Sequence, residues 1–534
     1  MPERSILKAL ITALILTAFA LGCESIQQED PVDFSYETNP IAILNSDWGV
    51  IPVPNNFLNP AFQARIPVVV PGAPAPEIIP TTVSLPITDQ AAVDLKESKG
   101  YPAGAPDSAL TQELLGGMNR LDGFVVSIAA EIPFSQEVDL ESIMIYGAED
   151  LPERNITTDV TKANLFFLDI TDPENPLPIS NFKMLFNYRE ATSMPYMLTI
   201  RNNAAADFPQ GGVYLIIMTG ITETGIKDTT GRPFEPDTYF SFFNTEKPYV
   251  AAEGTPRSNL VSDQAALWQL EGARQITDYG VKIWQSIVGD KRSRGELINA
   301  VHFTIMSNPF ALFYNGVNTL FWDAGLESMN PMAELSPVDV PKKNDSGVLE
   351  MLPAYASTDS EPTFKLSLPV QKDTINTDNI KLYKLSDGGA TDVAISVALT
   401  KNDETGATVK ITPAAELEEN SEYMVAMSNG VVGENGMLAA DQVFFGLTRV
   451  TQPLIDSEGN LNSPYLDSRA DSIILQGKDL AGAGKDVATV LSYLEFLRLH
   501  YMDRITWLVE DAQFIADRAD LALLWTFTTG ASAE

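Results

Sequence analysis

Few residues in this chain could carry out chemistry. Its 534 positions include two histidines, His302 and His500, and one cysteine, Cys23. A serine hydrolase needs a nucleophile on a Gly-x-Ser-x-Gly turn between a strand and a helix, with Asp and His further along the chain. That turn does not occur. The nearest stretch is Ala426-Met427-Ser428-Asn429-Gly430, which ends an apolar strand run and has no helix pattern after it. His302 sits inside the strand run Val301-His-Phe-Thr304 and His500 lies beside an apolar helix stripe, so both read as structural or surface residues. Hard oxygen ligands concentrate in two loops, Asp169-Ile-Thr-Asp172-Pro-Glu174-Asn175 and Asp456-Ser-Glu458-Gly459-Asn460-Leu-Asn462. Such ligands suit Ca²⁺, and they make Asp169, Asp172, Glu174, Asp456, Glu458 and Asn460 candidates for holding it. Neither loop has EF-hand spacing, and the same residue types are ordinary turn formers. No P-loop, dinucleotide fingerprint or Cys/His zinc spacing appears. The expectation is a protein that is not an enzyme and has no certain cofactor.

Charge narrows the partners. Seventy-one acidic against 35 basic residues give −36 and a pI of about 4.3, which repels phosphate backbones and argues against nucleic acid. Hydrophobic residues at 45% supply a core, and the length calls for several modules. One aromatic segment stands apart: Phe310, Phe313, Tyr314, Val317, Leu320, Phe321 and Trp322. Its spacing predicts a linker helix packed on a neighbour. Left exposed, Phe310, Phe313, Tyr314, Phe321 and Trp322 would form a patch for a protein partner or an apolar ligand such as an acyl chain.

The elements that would position these residues begin with targeting. Arg4 and Lys8 precede an unbroken apolar run from Ala9 to Ala20, which is the length of a signal h-region and too short for a span. Ala20-Leu21-Gly22-Cys23 then resembles the bacterial lipoprotein box. The resemblance implies cleavage before Cys23, lipidation of that cysteine and attachment to a membrane. Glu24, in place of the Asp that favours inner-membrane retention in enteric bacteria, points to the outer membrane. Residues 1–22 are therefore read as signal peptide and 23–45 as a polar, lipid-anchored tether. Prolines recur from Pro52 to Pro80, which makes 46–122 an extended entry segment with at most edge strands.

Beyond it the chain reads as mainly β: two Ig-like β-sandwich units, each with a helical insert, at 123–308 and 352–531, joined by a linker at 309–351 carrying the aromatic helix. Phe124, Val126 and Ile128 alternate as a strand, Ile143–Tyr146 makes another, and Val213–Met218 is a continuous apolar run of a buried strand. Asp228-Thr-Thr-Gly231 is a turn, and Tyr239–Phe243 alternates again. A second copy follows. Phe364–Leu368 is matched to Phe124–Ile128, Ile380–Tyr383 to Ile143–Tyr146, Tyr423–Met427 to Tyr214–Met218, and Gly436 to Gly231. Leu270-Glu271-Gly-Ala-Arg274 recurs as Leu494-Glu495-Phe-Leu-Arg498 at an offset of 224 (494 − 270), which still holds between Phe303 and Phe527. Leu494, Leu497, Tyr501, Ile505 and Leu508 define one helix face.

With these residues in view, the segments 212–245 and 422–448 resemble bacterial Ig-like domains of the SbsA type, in which a strand, an Asp-x-x-Gly turn and a closing Phe-x-Phe-x-Thr strand recur. A wider pattern is similar to the N-terminal region of the bacterial virulence-factor lipases. It comprises Ile51-Pro-Val-Pro-Asn-Asn-Phe57, Leu121-Asp-Gly-Phe124, Leu494–Arg498 and Asp517–Thr529. In that family a hydrolase domain follows the Phe-Thr-Thr strand; here the sequence stops at Glu534, so no catalytic residue carries over. The reading is a lipid-anchored, non-enzymatic cell-envelope protein, binding or scaffolding through Ig-like modules. The alternative is an accessory or degenerate relative of a surface lipase that binds lipid or a separate catalytic subunit.

Overall fold

The two strongest apolar runs of the sequence become the central strands of two sandwiches. The structure, a computed structural model, describes residues 40–43, 121–124, 129–148, 155–180, 182–188, 196–202, 208–251, 264–312, 321–323, 328–330, 335–386, 389–441, 443–455 and 487–530, with Leu110, Glu113, Val126, Arg257 and Asn462 between them. The first unit contains β1 (Ile41–Ala42), β2 (Ala130–Phe134), β3 (Ile145–Tyr146), β4 (Ile156–Thr157), β5 (Leu165–Asp169), β6 (Leu177–Pro178), β7 (Phe182–Tyr188), β8 (Tyr196–Asn202), β9 (Val213–Thr219) and β10 (Glu235–Pro236). Helices α1 (Thr238–Phe243) and α2 (Gln264–Val288) precede its closing strand β11 (Leu297–Thr304). Between the units lie β12 (Phe321–Asp323) and β13 (Ser328–Asn330). The second unit has β14 (Leu335–Ser336), β15 (Val340–Lys343), β16 (Leu349–Leu352), β17 (Thr363–Leu366), β18 (Ile380–Ser386), β19 (Gly389–Asp392), β20 (Ile395–Asp403), β21 (Gly406–Pro413) and β22 (Glu422–Ser428). Helices α3 (Val443–Thr448) and α4 (Val487–Glu510) lead to β23 (Leu521–Thr528).

Each unit is built on the same seven strands in two sheets, to which β10, β3, β4 and β6 are added in the first and β19 in the second. In the first, β1-β2-β8-β7 faces β5-β9-β11; in the second, β14-β17-β21-β20 faces β18-β22-β23. Taken in chain order, these are the A-B-E-D and C-F-G sheets of a constant-type Ig sandwich, with helices inserted between F and G. The F strand is continuous in apolar character because both of its faces are covered. Tyr214, Ile216 and Met218 face the core between the sheets, while Leu215 and Ile217 face α1 and α2. On α4, the face Leu494, Leu497, Tyr501, Ile505 and Leu508 is buried throughout. The turn glycines Gly231 and Gly436 both have φ of +84°, a left-handed conformation that a side chain resists, and each closes a turn back to residue Asp228 or Gly433.

Several sequence expectations shift. The second strand of the first unit is β2, not Phe124–Ile128. Phe124 instead makes a lone parallel bridge to Ile305, matched in the second unit by Ala356 to Thr529. The spacing from Phe124 to Ala356 also carries Ile132 onto Phe364, so the sequence match ran eight residues early. The counterpart of Ile380–Tyr383 is β5 rather than Ile143–Tyr146: Leu165 pairs with Met218 as Ile380 pairs with Met427. Tyr239–Phe243 and the Phe-x-Phe-x-Thr-like segment at 443–448 are helices, not strands. Six residues are too few for alternation to be told from a helix turn with aromatic neighbours. The aromatic linker helix is also absent where it can be checked, since Phe310 and Ala311 form β-bridges and β12 joins the small sheet β12-β13-β15-β16.

Boundaries move as well. Residues 40–43, placed by sequence in the tether, supply β1, which pairs antiparallel with β2 and parallel with β10; Ala42 and Ile43 are buried. In chain order residues 46–122 therefore lie between the first two strands of the first unit. The second unit starts at β14, whose Leu335 pairs with Phe364.

Candidate functional site

The motifs that repeat turn out to be fastenings. Glu271 and Arg274 form a buried bidentate pair on α2, Nε to Oε2 at 3.0 Å and Nη2 to Oε1 at 2.7 Å. Glu271 also accepts the Tyr249 amide at 2.7 Å, and Arg274 Nη1 donates to the Thr245 carbonyl at 3.3 Å. Glu495 and Arg498 do the same on α4, at 2.8 and 2.6 Å. They take the Leu454 amide at 2.9 Å and the Thr451 carbonyl at 3.0 Å. A fork-shaped guanidinium against a carboxylate fixes geometry in a dry site, and here it pins the segment that leads from the short helix to the long one. A second repeated fastening carried no sequence signal that periodicity would flag. Asn164 and Asn379 stand just before β5 and β18. Their side-chain amides donate to Ser142 and Thr224 carbonyls (2.8 and 3.0 Å) and to Thr374 and Gly430 carbonyls (2.9 and 3.1 Å).

Leu121-Asp-Gly-Phe124 locks the end of β11. Asp122 accepts from the Ser307 amide at 2.7 Å and from the Ser307 hydroxyl, while its own amide donates to Asn308 Oδ1 at 3.0 Å. A Cβ on Gly123 would come within 2.6 Å of the Ile305 and Met306 backbone, so only glycine allows this approach. Asn308 Nδ2 continues to the Leu438 carbonyl at 3.0 Å, and Asn435 Nδ2 returns to the Ser307 carbonyl at 2.7 Å. This seam joins the two units. Next along the chain, Phe310 lies in the core of the first unit and Ala311 in that of the second.

The candidate chemistry does not assemble. Ser428 Oγ faces Asn379 Oδ1 at 3.3 Å and the Gly430 amide at 3.2 Å. His500 Nε2 instead meets Thr526 Oγ1 at 3.4 Å, beside the strand position paired with Met424, about 13 Å along the strand from Ser428. His302 Nε2 bonds the Ile276 carbonyl at 3.0 Å. Burial pushes the His302 pKa down to about 4; burial and the nearby Arg504 push that of His500 down to about 3. The helical offset that relates Ile276 to His500 also relates His302 to Thr526, so the two histidines lie on opposite sides of one recurring strand–helix contact.

In the first acidic loop, Asp169 accepts the Thr171 amide at 2.9 Å. Asp172 accepts the Glu174 amide at 3.1 Å and Asn175 Nδ2 at 2.8 Å, and the Asn175 bond holds its carboxyl below the usual range. Glu174 is exposed. Among the described residues no group of three or more His, Cys, Asp or Glu side chains converges as a metal would need. Asp456, Glu458 and Asn460 lie outside the described residues, as do Cys23, Phe313 and Tyr314. Phe310 is a correction: at 4% exposure it is a core residue, not part of an open patch. It is extended, with its amide on Ser367 Oγ at 3.1 Å. Phe321 and Trp322 are strand residues paired with Asn330 and Met329. No helix among the described residues is long and apolar enough to cross a membrane, which leaves strand-built membrane proteins unaddressed.

Residues 344–446 match the family model of a bacterial Ig-like domain. That segment runs from the β15–β16 hairpin into α3 and takes in β17 to β22 of the second unit. Among solved structures, the N-terminal part of the bacterial S-layer protein SbsC is similar at 20% identity and a TM-score of 0.13, covering 16% of this chain and 19% of that one. Domains 1–6 of the surface layer protein SbsC are similar at 10% identity and a TM-score of 0.12, covering 68% of this chain and 65% of that one. The chain thus spans less than two thirds of either. No curated protein matches the chain.

Proposed function

We propose that this is a lipid-anchored, non-enzymatic protein of the cell envelope, held by Cys23 and presenting two Ig-like units as a binding or scaffold body. The observation that carries the reading is the use made of its polar side chains. Ser428, both histidines and the recurrent Glu–Arg pairs each engage a partner inside one sandwich. Among the described residues no nucleophile and base face one another, and the polar groups named here hold loops and helices in place. The lipoprotein box supports outer-membrane attachment, and the acidity of the chain supports a body that stands away from anionic headgroups rather than lying on them. The likeness of Leu121–Phe124 and Leu494–Arg498 to lipase N-terminal regions favours the accessory reading only in its structural sense, because both motifs act as fastenings.

The test pairs anchoring with activity. Cys23→Ala should abolish fatty-acid labelling and membrane fractionation while leaving the fold intact. The same purified protein should not hydrolyse short- or long-chain p-nitrophenyl esters above the buffer rate. Labelling that survives the substitution would end the anchor assignment. Ester turnover lost in Ser428→Ala would end the non-enzymatic one.

A further inference from the structure

Phe310 and Ala311 repeat the way the chain enters the first unit. Ile41 donates its amide to Ser135 Oγ at 2.8 Å and accepts the Ser135 amide at 3.0 Å. Phe310 does the same with Ser367, at 3.1 and 2.9 Å. The Pro40 carbonyl takes the Glu235 amide at 2.8 Å, and the Pro309 carbonyl takes that of Ala440 at 2.9 Å. Ala42 stands opposite Phe134 as Ala311 stands opposite Leu366. The residues are alike as well, Pro-Ile-Ala-Ile at 40–43 against Pro-Phe-Ala-Leu at 309–312. Only residues 305–309 separate the end of β11 from this second entry.

Those residues are gripped by both units, and the grips interleave. The Ile305 amide donates to the Gly212 carbonyl at 2.8 Å and the Met306 amide to that of Phe124 at 2.7 Å, both in the first unit. The Ser307 carbonyl then accepts from Asn435 Nδ2 of the second unit at 2.7 Å. The Asn308 carbonyl accepts from Gln210 Nε2 of the first at 2.8 Å, and Pro309 returns to the second at Ala440. Asn308 is 2% exposed, and its side chain touches both units. Its Oδ1 accepts the Asp122 amide and its Nδ2 donates to the Leu438 carbonyl, each at 3.0 Å. A hinge needs residues that can absorb a change in φ and ψ. Here Pro309 has φ fixed by its ring, and rotation at its neighbours would strand buried polar groups.

We propose that residues 305–309 form a rigid joint, pinned by Asn308, that holds the two units in one orientation in the folded chain. Tandem domains move against one another by default unless their interface forbids it; interleaved bonds to both units forbid it here. The joint fixes orientation and leaves each unit able to melt by itself. It depends on neither anchoring nor activity. Partners seated one on each unit of the proposed scaffold are held at one separation.

The experiment measures distances between paired spin labels on the full chain by pulsed dipolar electron resonance. Cys23→Ala removes the one native thiol, and Leu177→Cys with Val348→Cys puts a label at an exposed site of each unit. Leu140→Cys with Leu177→Cys, and Val348→Cys with Leu499→Cys, give reference pairs inside each unit. The distribution between units should be as narrow as those of the reference pairs. Asn308→Ala should widen it at least about twofold and leave the reference pairs unchanged. Asn435→Asp, at an exposed turn, keeps the acceptor for the Met437 amide and loses the donor to Ser307; it should widen the distribution less. This second variant decides the matter if Asn308→Ala disturbs a reference pair. Two results would overturn the joint: a parent distribution broader than the reference pairs, or one that neither variant widens.

Discussion

The two units share one topology and differ in which residue makes each polar contact. At the strand–helix contact, the first unit places the imidazole on the strand, with His302 against the Ile276 carbonyl; the second places it on the helix, with His500 against Thr526. At the closing turn, Arg294 has Asp278 beside it, whereas Arg518 faces Met502. The Glu–Arg clamp on the long helix is kept in both. The sandwich therefore fixes where a polar bond must form, since a buried donor left alone is costly, and leaves open which element supplies it. Contacts made by main-chain atoms tolerate exchange. The bidentate clamp, which needs both side chains in register, does not.

The strongest way to break this comparison is to unfold one unit at a time. Ile505→Asp on α4 and Val281→Asp on α2 put an unpaired charge at fully buried positions that correspond by the helical offset, at a cost of several kcal/mol. Calorimetry should show each variant losing one transition and keeping the other. Loss of both in either variant would show that the seam at Asn308 makes one cooperative body.

A smaller effect separates the histidine positions. His302 titrates near 4 in the fold and near 6.5 unfolded. Above the unfolded value both states are neutral and nothing is lost. As pH falls below it the unfolded chain takes up a proton that the fold refuses, so stability declines until the folded value is reached. Between neutrality and about pH 5 the loss is about 2 kcal/mol. His302→Thr, the residue of the second unit at that place, should flatten the pH dependence of urea midpoints for the first unit. An unchanged slope would mean that His302 is not the titrating group.

The smallest expected effect concerns Ca²⁺. Because Asp169 and Asp172 already bond their own loop, melts of lipid-free protein with Ca²⁺ and with chelator should agree within about 1 °C at matched ionic strength. A shift of several degrees removed by Asp172→Ala would reinstate the first loop as a metal site. One removed only by Asp456→Ala would assign the ion to the second.

Much of the sandwich was legible because its central strands are buried on both sides and its long helices carry a clear face. Tyr214–Met218, Tyr423–Met427 and the Glu-x-x-Arg repeat are alike in residue type and spacing. Strand β2 was not legible, since Ala130-Glu-Ile-Pro-Phe134 contains a charge and a proline, while Phe124-Val-Val-Ser-Ile128 alternates more cleanly in sequence. The short helix 238–243 is hidden by aromatic residues two apart and 443–448 by the adjacent pair Phe444 and Phe445. Asn164 and Asn379 were missed because a single amide has no period; their common place before an apolar run is the one cue they leave. At the candidate sites, spacing alone made Phe310 part of an aromatic patch, while only its neighbours place it in the core. Leu110 and Glu113 carry no local signal, because they meet the core and Thr451 of the second unit.

The connection between β1 and β2 also sets an order of events during synthesis. Ala42 is made early and pairs with Phe134, and its neighbour Ile41 pairs with Glu235, while Glu113 meets Thr451 only 338 positions later. At roughly 5–20 residues per second, Leu110, which is buried in the core of the second unit, is finished roughly 20–70 s before that core can form. Through that interval an apolar side chain with no site to enter must remain in solvent or in the care of a chaperone. Folding of this chain thus depends on how long one segment can wait for the far end of its own sequence.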